Sequence, residues 1–212
     1  MKHFKLFTLF LILTFTSSLS SGQVIFYLHG RILETQGIPA VDTINGYGTY
    51  EYTKILNTFR KNGFTVISEV RRKNTQPVKY AQHIVHQTDS LLSKGIKPEN
   101  ITIIGASKGS LIAMLTSSML KNRQINFVFI AACNNYSLKR FPQLQFYGNI
   151  LSVYEKSDNI GRSCSGFKER SGKNITHYKE IELHTGMKHG FLFKPLPQWV
   201  QPAIKWARGE YE

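Results

Sequence analysis

The sequence predicts an α/β protein: a mostly parallel sheet of about six strands with helices on both faces, in one minimal domain without a lid. Three observations carry this. Short apolar runs alternate with helix-length amphipathic segments along most of the chain, the order that produces parallel strands joined by crossover helices. At residues 101–112 an apolar strand pattern breaks at a glycine-flanked serine and resumes as a helix. And no linker, repeat or low-complexity tract divides the 212 residues, which suffice for one well-filled core.

The elements follow in order. Val24 to Leu28 reads as a strand, and Tyr50 to Asn62 as a helix with Ile55, Leu56 and Phe59 on one side and Asn62-Gly63 as its stop. Phe64 to Ser68 is the next strand. Val78 to Lys94 is a helix closed by Gly95, and Lys97-Pro98-Glu99-Asn100 turns the chain into the strand Ile101 to Gly105. A helix from Lys108 to Lys121 follows. Ile125 to Ala131, Ile150 to Tyr154 and Tyr178 to His184 are the remaining strands, with an irregular or briefly helical stretch after the first of them. Pro197 to Arg208 closes the chain as a helix. In such a sheet, ligand chemistry belongs at the carboxyl ends of the strands.

The most informative of these junctions is Gly105-Ala106-Ser107-Lys108-Gly109. A strand that turns sharply into a helix with serine at the tip needs small residues two positions before and two after it. Ser107 is then held out where a base and a carbonyl can reach it. The backbone N–H of Lys108, opening the helix, points at an oxygen that becomes negative during acyl transfer. Such a serine needs a base and an acid. After Ser107 the only aspartate is Asp158, four residues beyond a strand end, and His189 follows the last strand in Gly186-Met187-Lys188-His189-Gly190-Phe191. Both fall at the sheet edge that carries Ser107. Glu155 is the alternative acid and His184 the alternative base, although His184 sits inside a strand pattern.

The chain's beginning and its cysteines bear on location. Lys2, His3 and Lys5 precede an apolar stretch from Leu6 to Phe15 and a small-residue segment ending at Ser20-Ser21-Gly22. This is the layout of a secretory signal peptide over residues 1–22, leaving a mature domain of 23–212 in the periplasm or outside the cell. A retained anchor is the other reading, but the apolar stretch is short for a bilayer. Cys133 and Cys164 suit an exported chain with one disulfide, and two free thiols are the alternative. A bridge between them would tie down the loop that carries Asp158. Neither cysteine has a second Cys or a His at ligand spacing, so no metal is expected.

Composition adds a hint about partners. Lys and Arg number 27 against 13 Asp and Glu, a formal charge of +14, or +12 once Lys2 and Lys5 are removed. Arg31, Arg71-Arg72-Lys73, Lys108, Arg162 and Lys188 all follow strands or the serine turn, near the rim of the predicted site. A rim of one sign attracts ligands of the other. The expectation is therefore an anionic substrate, or one presented on an anionic surface, with Arg71, Arg72 and Lys73 as binding residues. No nucleic-acid motif accompanies the charge, and no nucleic-acid partner is expected.

Taken with Leu28-His29-Gly30 after the first strand, the serine turn, Asp158 and His189-Gly190-Phe191, the chain resembles the α/β-hydrolase superfamily over its mature length. Its size and ending are similar to dienelactone-hydrolase-like and small esterase members. The resemblance implies a serine hydrolase acting on an ester or thioester through Ser107, His189 and Asp158, without a cofactor. A non-catalytic binding module on the same fold is the alternative. It also implies a second oxyanion donor in the His29-Gly30-Arg31 turn, the backbone N–H of Arg31 pairing with that of Lys108. One departure stands out: only Gln23 separates the expected cleavage point from the first strand, so the antiparallel strands that open this fold are absent.

Overall fold

The computed structural model describes residues 22–212; the expected signal segment lies outside these residues except for Gly22. Four strands form the sheet's centre because their sequences are apolar on both sides. They are β1 (Val24–Leu28), β5 (Ile101–Ala106), β6 (Asn126–Ile130) and β7 (Gly148–Glu155), and nearly every residue in them is buried. Continuous burial of this kind belongs to parallel strands covered on both faces. The edges are β4 (Thr65–Ile67) and β8 (Ile175–Leu183), and the order is β4-β1-β5-β6-β7-β8 with every pairing parallel. β8 carries Lys179, Glu180 and Glu182 along a partly exposed pattern, which blunts the edge against further pairing.

Alternation along the central strands divides the core in two. One face carries Ile25, Tyr27, Ile104, Val128 and Leu151 against α1 (Arg31–Gln36), α2 (Tyr52–Lys61) and α7 (Pro197–Ala207). There Trp199 and Trp206, seven residues apart and so on one side of α7, are both fully buried. The other face carries Phe26, Ile103, Phe127 and Ile150 against α3 (Pro77–Ser93), α4 (Lys108–Leu120) and α6 (Ser165–Ser171). The six-residue α5 (Asn135–Arg140) begins with an Asn134 capping box: Asn134 Oδ1 accepts from Ser137 N–H at 2.7 Å.

The sheet has the expected six strands, and its helices cover both faces. Three details differ from the sequence reading. Residues 31–49, read as turn and loop, form α1 and a small antiparallel pair, β2 (Val41–Asp42) with β3 (Gly48–Thr49). The segment before β8 contains α6, and β8 starts three residues earlier than expected. These misreadings concern stretches of seven residues or fewer, whose periodicity is too brief to register.

What fixes the site's position is the approach of α4 to β1. A Cβ on Gly109 would overlap the carbonyl group of Leu28 and crowd the His29 carbonyl, and one on Gly105 would overlap the backbone of Gly109 and Ser110. The glycines let the two backbones touch. Gly109→Ala is expected to destabilise the protein by about 3 kcal/mol, as overpacking against backbone does. A denaturant-unfolding midpoint unchanged from wild type would contradict this packing account.

Candidate active site

Ser107 stands between β5 and α4 with φ 52° and ψ −117°, a backbone conformation that non-glycine residues rarely adopt. Two contacts hold it there. Its N–H donates to Ile130 O at 2.8 Å. Behind it the Ser110 hydroxyl donates to Gly105 O and accepts from Ile130 N–H at 2.6 Å, which pins α4's first turn to β5 and β6. The Lys108 N–H, first of α4, has no acceptor within the helix.

Asp158 and His189 meet Ser107 from the ends of two neighbouring strands. Ser107 Oγ lies 2.9 Å from His189 Nε2, and His189 Nδ1 lies 2.7 Å from Asp158 Oδ2. Asp158 is 1% exposed and His189 8%. The Asp158 carboxylate also accepts the N–H groups of Ile160 at 2.8 Å and Gly161 at 3.2 Å. Those two N–H groups fix the orientation of the carboxylate.

The loop carrying Asp158 has no regular structure of its own and is held from outside. Cys133 and Cys164 form a disulfide across it, and Arg162 N–H donates to Cys133 O at 2.6 Å. Gly161 lies so close to Ala131 that a Cβ there would overlap the Ala131 backbone. Closing a loop of 31 residues stabilises the fold by about 3 to 4 kcal/mol in the chain-entropy account.

Glu155, the alternative acid, does not reach His189. Its carboxylate accepts from Thr185 N–H at 2.8 Å, Thr185 Oγ1 at 2.7 Å and Ser157 Oγ at 2.9 Å, joining the Asp158 loop to the segment that leads to His189. Ser157 Oγ in turn accepts from Lys188 N–H at 3.1 Å. Burial pushes the Glu155 carboxyl up, but the hydrogen bonds from Thr185 and Ser157 outweigh it and hold it at about 2. His184, the alternative base, is exposed and lies 3.0 Å from Glu182.

Opposite Ser107 stands the turn between β1 and α1. A Cβ on Gly30 would lie 3.8 Å from Ser107 Cβ, so the turn borders the serine directly. The Gly30 N–H is engaged by Tyr50 Oη at 3.4 Å. The next N–H, that of Arg31, opens α1 and has no acceptor within the helix. His29 is fully buried; burial above all, and then the Arg71 charge, lower its pKa from 6.5 to about 3. As a neutral ring it accepts from Arg71 N–H at Nε2, 2.9 Å away, and donates from Nδ1 to Gly30 O at 2.7 Å.

Of the basic rim expected from the sequence, only Arg31 lines the cleft. Arg71 is buried, its Nε 2.8 Å from Glu34 Oε1, and it cannot bind a substrate. Lys108 Nζ pairs with the other oxygen of Glu34. Arg72, Lys73, Arg162 and Lys188 are exposed but do not line the cleft that holds Ser107 and His189. That cleft encloses about 510 Å³, and its charged lining is Arg31 and Asp42, one of each sign. The rest is largely apolar: Ile32, Val41, Ile44, Tyr47, Leu192 and Phe193. The residue the sequence reading missed is Glu34, a lone carboxylate in a stretch read as loop, whose partners lie 37 and 74 residues away.

This fold is that of the α/β-hydrolases. No protein-family model matches the chain, and no curated protein matches it by sequence. Solved structures do. SOBER1 of Arabidopsis thaliana superposes with a TM-score of 0.52 at 14% identity, over 86% of this chain and 99% of that one. The Pyrococcus furiosus esterase Pf2001 superposes with a TM-score of 0.57 at 13% identity, over 90% and 84%. A predicted CIB-like hydrolase of Thermoplasma acidophilum gives 0.56 at 16%, over 91% and 89%.

Because the folded-state pKa of Glu155 lies below its usual value of 4.5, its stabilisation is complete above about 4.5 and lost as pH falls toward about 2. Urea-unfolding midpoints of the wild type should decline across that window. Those of Glu155→Gln should start lower and change less, and parallel declines in the two proteins would exclude Glu155 as a source of the acid sensitivity.

Proposed function

We propose that the protein is an exported serine hydrolase that cleaves esters or thioesters of apolar acyl groups through an acyl-enzyme. The observation that carries this reading is the continuous chain from Ser107 Oγ through His189 to Asp158, at 2.9 and 2.7 Å. Such a chain has a defined chemistry. His189 Nε2 takes the Ser107 proton as Oγ attacks the acyl carbon, and Asp158 holds Nδ1–H and stabilises the imidazolium that results. The oxygen turned negative is received by the N–H groups of Lys108 and Arg31, each such donor being worth about 3 kcal/mol of barrier. His189 then returns the proton to the departing alcohol or thiol, and a water activated by the same imidazole releases the acid.

The cleft supports an apolar acyl group over the anionic one that the basic composition suggests. Its walls are mainly aliphatic and aromatic, and its two charged residues offset each other. At about 510 Å³ it falls in the usual range for small-molecule sites. Hydrolase and esterase neighbours of the same fold agree with this chemistry. Export is supported by the layout of residues 1–22 and by the disulfide, a bond that persists in oxidising compartments.

Each of these readings has its own test. A fluorophosphonate probe should label the wild type and not Ser107→Ala, and Asp158→Asn should lower kcat by about 10⁴-fold. On p-nitrophenyl esters, kcat/KM should rise with acyl length and fall when a terminal carboxylate is added. Labelling that survives in Ser107→Ala would sink the nucleophile assignment, and a preference for the carboxylated esters would sink the acyl assignment. For export, the N-terminus of protein recovered outside the cytoplasm should begin near Gln23; an intact Met1 there would refute cleavage.

A further inference from the structure

Between the two turns that flank Ser107 lies a group of buried charges with no part in proton transfer. The Glu34 side chain is 1% exposed, Arg71 0% and Lys108 17%. Glu34 comes from α1, Arg71 from the segment after β4, and Lys108 from the residue that follows the nucleophile. One carboxylate oxygen takes Arg71 Nε at 2.8 Å and the other takes Lys108 Nζ. Arg71 continues the chain: its Nη2 donates to His29 O, and its N–H donates to His29 Nε2. Its guanidinium also stands 5.4 Å from the centre of the Tyr80 ring.

Both ends of this chain bear on backbone amides. At one end, His29 Nδ1–H holds Gly30 O at 2.7 Å. Because the peptide unit is planar, fixing that carbonyl fixes the direction of the Arg31 N–H on its other side. At the other end, the Lys108 side chain is tethered to α1, so the residue whose N–H opens α4 is tied to the opposite turn. Two cations hold the same buried carboxylate, and separating Arg71 from it would leave uncompensated charges in the interior.

We propose that Glu34 is a positioning residue that locks the β1–α1 turn to the serine elbow and so presets the spacing of the Arg31 and Lys108 N–H groups. This rests on the hydrolase reading above and deepens it. Preorganised donors stabilise a developing charge because they need not reorient as it forms. The lock therefore acts on the transition state, which receives the oxyanion, and scarcely on ground-state binding. Its signature is a fall in kcat at nearly constant KM.

The direct substitution, Glu34→Gln, strands Arg71 as an unpaired buried cation and endangers folding. Lys108→Met is cleaner, because the Glu34–Arg71 pair that remains is neutral. On a neutral p-nitrophenyl ester, Lys108→Met should lower kcat 10- to 100-fold with KM within twofold. It should also weaken inhibition by a trifluoromethyl ketone, which mimics the oxyanion, by a similar factor. Lys108→Arg, which keeps a cation on Glu34, should recover most of both. A kcat within twofold of wild type in Lys108→Met would overturn the proposal, as would a rise in KM alone or equal defects in the Met and Arg variants. A wild type inert to both ester and fluorophosphonate would instead overturn the hydrolase reading, and this proposal with it.

Discussion

The close approach of α4 to the end of β1 is the constraint on which the rest of the site depends. Gly109 sits against the Leu28 and His29 carbonyls, where any side chain would collide. That single contact does two things. It forces the chain at Ser107 through a positive φ, lifting the hydroxyl off the sheet edge. It also draws the turn after β1 alongside the serine, where a Cβ on Gly30 would lie 3.8 Å from Ser107 Cβ. Separating these backbones by the width of a methyl group would dissolve the site even with every polar residue in place.

The second half of the site is built on a different principle. Ser107 is held by regular structure on both sides, whereas Asp158 lies on an irregular loop, where local unfolding is cheapest, and His189 lies near the start of a short 3-10 helix, Lys188–Phe193. The structure answers with covalent and polar ties beside the packing of Phe191, Leu192 and Phe193 into the core. The disulfide and the Arg162–Cys133 backbone bond hold the far side of the acid loop. Glu155 holds its near side to Thr185, and Ser157 accepts from Lys188 next to the histidine. Asp158 and His189 are thus fastened to each other through two routes besides their own hydrogen bond.

How much of this was readable in the sequence follows from the range of each interaction. The four central strands announce themselves through unbroken apolar runs, and the elbow through glycines whose purpose is local. Asp158 and His189 were legible because strand ends carry them to a known edge and few competitors exist. Glu34, Arg71 and Lys108 were not. Their meaning lies in pairing across 37 and 74 residues, and a sequence shows a cation without showing whether a carboxylate awaits it. Arg71 and Lys108 were therefore placed on a solvent-facing rim when one is buried and both are paired with Glu34. The helix α1 escaped for a related reason: six residues are too few to display a period.

That pairing changes what the chain's basic character means. A charge of +14 acts over distances near the Debye length, about 8 to 10 Å at ordinary ionic strength, whereas selection of an acyl group happens by contact. The cleft presents one positive and one negative residue among apolar walls, so its contact surface carries little of the excess. Most of the excess lies on exposed side chains away from Ser107, among them Arg72, Lys73, Arg162 and Lys188. On the proposed function, attraction to an anionic surface and preference for an apolar acyl group would be separate properties, encoded by different residues. Salt would weaken the first and leave the second intact, because burial of apolar surface does not depend on screening.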